Sequence, residues 1–112
     1  MRLNWQIQPG KGAQRPKTQL GTEFFDADAV GNAIQLRHWQ PGDRFQPIGM
    51  KHAVKLQDLF VNQKVAPDKR RQLLVATTSR GDIFWVEGLR ISERFKLTSN
   101  TIRRLLWQWQ RL

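Results

Sequence analysis

The 112 residues predict an α+β domain, mostly antiparallel sheet with one or two short helices. Three features predict it. Leu3, Trp5 and Ile7 alternate with Asn4, Gln6 and Gln8, the period-two pattern of a half-buried strand. Leu73 to Thr78 and Ile83 to Glu87 flank Ser79-Arg80-Gly81-Asp82, an order that reads as a hairpin. Lys55 to Gln63 is helical instead, with Leu56, Leu59 and Phe60 at the i, i+3, i+4 spacing of one apolar face.

The other elements follow in chain order. Residues 9–18 are rich in Gly, Pro and Lys/Arg and are expected to form a flexible loop. Glu23-Phe24-Phe25 begins a second strand, halted at Asp26-Ala27-Asp28. A third runs from Ala33 to Trp39, with Ile34, Leu36 and His38 on one face and Gln35, Arg37 and Trp39 on the other; Pro41-Gly42 ends it. Pro67 suits the first turn of a second short helix, and Asp68 favours its N-terminal end. Gly88 permits a bulge or bend before Leu89 to Ser92. The C-terminus fits two patterns. Ile102, Leu105, Leu106 and Trp109 have helical spacing, whereas Leu105, Trp107 and Trp109 alternate with Gln108 and Gln110 as a strand would. A turn near Ser99-Asn100 followed by a strand is preferred, because this Trp-Gln alternation repeats that of Trp5 to Gln8. Two such strands could pair at one sheet edge.

At this length, residues 1–112 are expected to form a single domain, whose core five Trp and six Phe can supply. The absence of cysteine excludes disulfides and thiolate zinc sites and fits a cytoplasmic protein. Neither a membrane-spanning apolar run nor a signal-peptide h-region occurs, so no membrane partner is expected. Net charge is +10, unevenly spread: residues 1–50 carry 6 basic and 4 acidic side chains, residues 51–112 carry 13 and 5. A polyanion is therefore expected to meet the second half.

Catalytic and metal-binding patterns are missing. No P-loop, dinucleotide fingerprint or nucleophile elbow occurs, and Ser79, Ser92 and Ser99 lie outside any Gly-rich strand-to-helix turn. Asp26 and Asp28 read as turn-stabilising residues at a strand end. His38 and His52 lack the spacing of a metal site, and His38 is expected to pack on a strand face. Arg80-Gly81-Asp82 reads as the hairpin turn. Trp39 and Phe95 could stack on an unpaired base, but core packing is the stronger expectation.

The candidate phosphate-binding residues are basic. Lys51, Lys55 and Lys64 flank the predicted helix, and Lys69, Arg70 and Arg71 crowd the turn after it. Their mutual repulsion is left largely uncompensated by acids, as in a phosphate-binding stripe. Arg90, Arg94 and Lys96 extend the stripe if their strands lie beside that helix. Arg37 and Arg44 complete the set. Arg44 stands on a Pro41-Gly42-Asp43 turn plugged by Phe45, and it has two uses: a grip on phosphate, or an internal ion pair with Glu93.

The Gly42-Asp43-Arg44-Phe45 turn, the Lys55-Leu56-Gln57-Asp58-Leu59-Phe60 helix and the Trp85 to Phe95 segment WVEGLRISERF occur in a telling order. In order and spacing the chain resembles, from about Phe24 to Lys96, the C-terminal domain of the tRNA(Ile)-lysidine synthetases. It departs at His52-Ala53-Val54-Lys55, where relatives often have Gly-x-Lys-Lys, and at Gln72 before Leu73-Leu74, where an Arg-x-x-x-Pro-Leu-Leu is common. The resemblance implies a β-sandwich-like core and a domain that binds tRNA, most specifically the acceptor stem of an isoleucine tRNA. It also implies a separate ligase domain that uses ATP and magnesium to join lysine to the anticodon cytidine. That domain's Ser-Gly-Gly-x-Asp-Ser loop is absent, so this chain is expected to hold no cofactor and to carry no catalytic residue. It is then either a C-terminal fragment or a stand-alone relative. The alternative is an interaction module that docks on the ligase domain or forms a homodimer through Trp5-Gln6-Ile7-Gln8.

Overall fold

The two ends of the chain lie side by side in one sheet. The computed structural model describes residues 1–17, 19–89 and 91–111. The chain divides into two compact units, one of Met1–Asn32 with Phe95–Leu112, the other of Ala33–Arg94.

The first unit contains β1 (Arg2–Pro9), β2 (Thr22–Asp26), α1 (Ala27–Val30) and the C-terminal strand β8 (Arg103–Gln110). Its sheet has the order β1-β8-β2 with both pairings antiparallel. Trp5 stands opposite Trp107, their ring centroids 6.1 Å apart, so the repeated Trp-Gln alternation does pair two strands. The turn before β8 is local: Thr98 N–H donates to Thr101 Oγ1 (2.8 Å), and Asn100 N–H donates to Thr98 Oγ1 (3.2 Å). Thr101 Oγ1 in turn donates to Asp26 Oδ2 at 2.7 Å. Asp26 caps α1, its Oδ1 accepting from the amides of Asp28 and Ala29 at 2.9 and 3.1 Å. The strand therefore stops where the sequence places its stop, but it stops by starting a helical turn.

Strand β1 is not half-buried. It has β8 on one side only, and Trp5 and Ile7 remain 54% and 50% exposed. Alternation marked the strand correctly; an edge position left its apolar face with little to cover it.

The second unit contains β3 (Gln35–His38), β4 (Arg44–Phe45), β5 (Val54–Lys55), α2 (Leu56–Asn62), α3 (Pro67–Arg70), β6 (Leu74–Thr77) and β7 (Ile83–Val86). Its sheets are β3-β6-β7 and the short pair β4-β5. All pairings named are antiparallel and all helices short, which is the fold class expected. The hairpin forms as read: Thr78 N–H donates to Asp82 O (2.9 Å), and Gly81 takes φ 86°, which glycine adopts without steric cost. The core gathers Phe45, Leu56, Phe60, Leu73, Val75, Ile83 and Val86, with Trp39, Leu59 and Val65 packed against it.

The facing of β3 is reversed from expectation. Leu36 is 40% exposed and His38 is exposed, while Arg37 and Trp39 are half-buried. The two inward residues satisfy their polar atoms there. Arg37 forms a bidentate pair with Asp43, and the Trp39 indole donates to Arg70 O at 2.7 Å. Phe95 is buried, as expected.

A candidate nucleic-acid interface

The segment from α2 to β6 presents its basic residues on a fixed backbone. Helix α2 turns Leu56 and Phe60 inward, and Leu56 N–H donates to Asp43 O at 2.9 Å, so the Gly-Asp-Arg-Phe turn seats the helix start. The helix ends in a tight reversal: Val65 N–H donates to Phe60 O (2.9 Å) and Lys64 N–H to Val61 O (3.0 Å). Lys64 takes φ 56° there, a left-handed conformation that costs an L-residue about 1–2 kcal/mol. Pro67 opens α3, and Lys69 and Arg70 occupy its last turn, the end that favours cations. Arg70 is the anchor of this turn. Its Nε donates to Val65 O at 2.7 Å while its carbonyl accepts from Trp39, which itself packs edge-on against Phe60 with centroids 5.0 Å apart.

Lys64, Lys69 and Arg71 are exposed on this braced turn, as Lys51 and Lys55 are elsewhere in the unit. Among the described residues, none of these five side chains has a hydrogen-bond or ion-pair partner. Lys55 lies directly opposite Arg44 across β4-β5, a like-charge pair that is unfavourable without an anion near it. Arg44 donates to Ala53 O at 3.1 Å, whereas Glu93 Oε1 accepts from Gly49 N–H at 2.9 Å; the two do not pair with each other. Arg44 and Arg94 line one groove with Asp82, to which Arg94 reaches at 3.4 Å.

Three sequence candidates fall outside this group. Arg37 is spent on Asp43, at 2.9 and 3.0 Å, with a third bond to His38 O, so it belongs to the scaffold. Lys96 lies in the first unit. Arg90 lies outside the described residues. His52 is exposed, and among the described residues no group of three or more His, Cys, Asp or Glu could hold a metal ion. Among the described residues, no helix is long and apolar enough to cross a membrane.

The Arg37–Asp43 pair carries a stability prediction. Burial pushes the Asp43 carboxyl up, but the hydrogen bonds from Arg37 and Gln40 and the Arg37 charge outweigh it and hold the group below its ordinary value. The bond to Asp43 likewise raises Arg37. A lowered carboxylate stabilises above its unfolded pKa of about 3.9, and that stability is lost as pH falls through the lower folded value. Asp43→Ala should cost about 2 kcal/mol at pH 7 in urea unfolding, between exposed and buried ion pairs. The loss should shrink below about pH 4. An equal loss at every pH would show the pair contributes nothing.

Counted by unit, the net charge is not skewed. The first unit holds 8 basic and 3 acidic residues and the second 11 and 6, so each carries +5. Apart from Lys96, the basic residues of the first unit, Lys11 and Lys17 among them, are not among the sequence candidates.

Residues 34–107 match the family model described as the TilS substrate C-terminal domain. A tRNA(Ile)-lysidine synthase of Clostridium acetobutylicum is 42% identical over 79 residues, covering 70% of this chain and 17% of that protein. The corresponding protein of Bacteroides thetaiotaomicron is 34% identical over 88 residues, covering 78% of this chain and 20% of that protein. The chain thus spans about a fifth or less of the length of these curated relatives. A crystal structure of a TilS C-terminal domain superposes with a TM-score of 0.74 at 25% identity, covering 98% of this chain and 83% of that one. An N-terminal fragment of the Pyrococcus horikoshii phenylalanyl-tRNA synthetase β-subunit shares the fold alone, at a TM-score of 0.60 and 17% identity.

Proposed function

The chain belongs to the TilS substrate C-terminal domain family, and from that premise we propose that it grips tRNA for a separate, ATP-dependent ligase domain. The observation that carries the proposal is the braced turn from Lys64 to Arg71, with exposed and unpartnered Lys64, Lys69 and Arg71. Cations held on a rigid backbone lose little entropy when a phosphate arrives. Duplex RNA is recognised mainly through phosphate and 2′-hydroxyl contacts, so an acceptor stem of an isoleucine tRNA suits a site with charge and no base-reading pattern. In this role the domain supplies affinity and orientation in the cytoplasm. Bond making, with ATP and magnesium, belongs to the ligase domain, which would present the anticodon cytidine to lysine.

If about six of the cations contact phosphates, log affinity should fall with log salt at a slope of roughly −4 to −5. Titrating an isoleucine-tRNA transcript against the chain at several salt concentrations measures it. A flat dependence, or no binding at low salt, would exclude the grip.

The exposed edge of β1 favours a second role, self-association of two copies through Trp5 and Ile7. Sedimentation should then show a dimer that Trp5→Ser with Ile7→Thr dissociates. A monomer at all concentrations excludes it.

A further inference from the structure

In the first unit all three acids are already engaged. Asp26 caps α1 and accepts from Thr101, Asp28 pairs with Arg103 at 2.7 Å, and Glu23 pairs with Arg15 at 3.3 Å. Lys11 and Lys17 are exposed and have no acidic partner among the described residues. They sit in the stretch Gly10-Lys11-Gly12-Ala13-Gln14-Arg15-Pro16-Lys17, whose first part is tied to the start of β8 at four points. Gly10 N–H donates to Ile102 O (3.1 Å) and Gly12 N–H to Thr101 O (3.0 Å). One terminal nitrogen of Arg104 donates to both Lys11 O and Gln14 O, each at 3.1 Å. A Cβ on residue 10 would lie 2.8 Å from the Arg104 side chain, so glycine there lets the loop run against it. Arg104 Nε is buried without an acceptor among the described residues, a cost that an alkyl side chain would avoid. What the arginine gains is its hold on the loop.

We propose that residues 10–17, clamped by Arg104, form a second phosphate-contact loop that binds the RNA backbone through Lys11 and Lys17, with Arg104 as a positioning residue. The proposal rests on the RNA-binding role above and extends it to residues that the family model, which begins at residue 34, does not reach. The loop offers no large apolar side chain, so it lacks the anchor of a protein interface. A uniform polyanion recognised by charge suits it better.

The test is titration of the 112-residue chain with an isoleucine-tRNA transcript between about 50 and 200 mM salt. Lys11→Glu with Lys17→Glu should weaken binding about tenfold and make the salt slope shallower by about 1.5–2. Arg104→Gln alone should weaken binding several-fold. It should add little to the double variant, because releasing the loop and reversing its charges remove the same contacts. Circular dichroism melts check that each variant folds, and the exposed lysine pair keeps the test decisive if Arg104→Gln does not. Unchanged affinity and slope in the lysine pair, while Lys69→Glu with Arg71→Glu still weakens binding, would overturn the loop and leave the first role standing. No binding by the unaltered chain at low salt would overturn both.

Discussion

Lys69→Glu combined with Arg71→Glu should lower tRNA affinity about a hundredfold at moderate salt and make the salt slope shallower by about 2. Each reversal removes a phosphate contact and adds a repulsion. Both side chains are exposed and unpartnered, so the fold should tolerate the changes within about 0.5 kcal/mol. Arg70 is the wrong residue for this experiment, although the sequence gives no reason to prefer its neighbours. Its guanidinium holds Val65 O and its carbonyl holds Trp39, so Arg70→Glu would damage the turn and confuse lost folding with lost contact. Fluorescence anisotropy with an isoleucine-tRNA transcript measures affinity, and thermal melts report the fold. Self-association through β1 should survive the double reversal. Affinity unchanged within about twofold would exclude this turn as the grip.

What the sequence made legible was local. The Ser79 to Asp82 hairpin, the Pro67 helix start and the turn at Ser99-Asn100 each depend on a few adjacent residues, and each forms where expected. The pairing of β1 with β8 was legible too, because two Trp-Gln alternations announce each other. Facing and partnership were not. The apolar alternation of Ile34 and Leu36 says which residues share a face, but not that Arg37 and Trp39 would be the ones turned in. That outcome depends on Asp43 and Arg70 O lying within reach, which only the register of the whole unit decides. Arg37 shows the limit clearly: by charge alone it is indistinguishable from Lys69, yet one is spent and the other free. The charge skew between the halves has no counterpart between the units, for a similar reason. Halving the chain at residue 50 separates β1 from β8, whereas the fold brings Arg103 and Arg104 back to the N-terminal strand and equalises the two units.

Phe60→Ala should cost about 3–5 kcal/mol, the largest stability loss expected of a single substitution on α2. Phe60 is fully buried in the second unit's core and packs in a T-shaped contact with Trp39, whose indole in turn fixes the carbonyl of Arg70. The cavity would therefore open under the basic turn itself. Its carbonyl also accepts the Val65 amide, a backbone bond that the substitution leaves chemically intact, so the loss isolates packing. Val61→Ala is the control. That side chain is next in sequence, 54% exposed, and its truncation should stay within about 0.5 kcal/mol. Urea unfolding of both variants gives the comparison. Because Phe60 touches no solvent, any loss of tRNA affinity by Phe60→Ala under conditions where it remains folded must come from a loosened turn. A rigid grip predicts such a loss, several-fold and with an unchanged salt slope, since the cations are still present but no longer held in place. Wild-type affinity in the folded variant would mean that the cations need no fixed backbone, and that charge alone suffices.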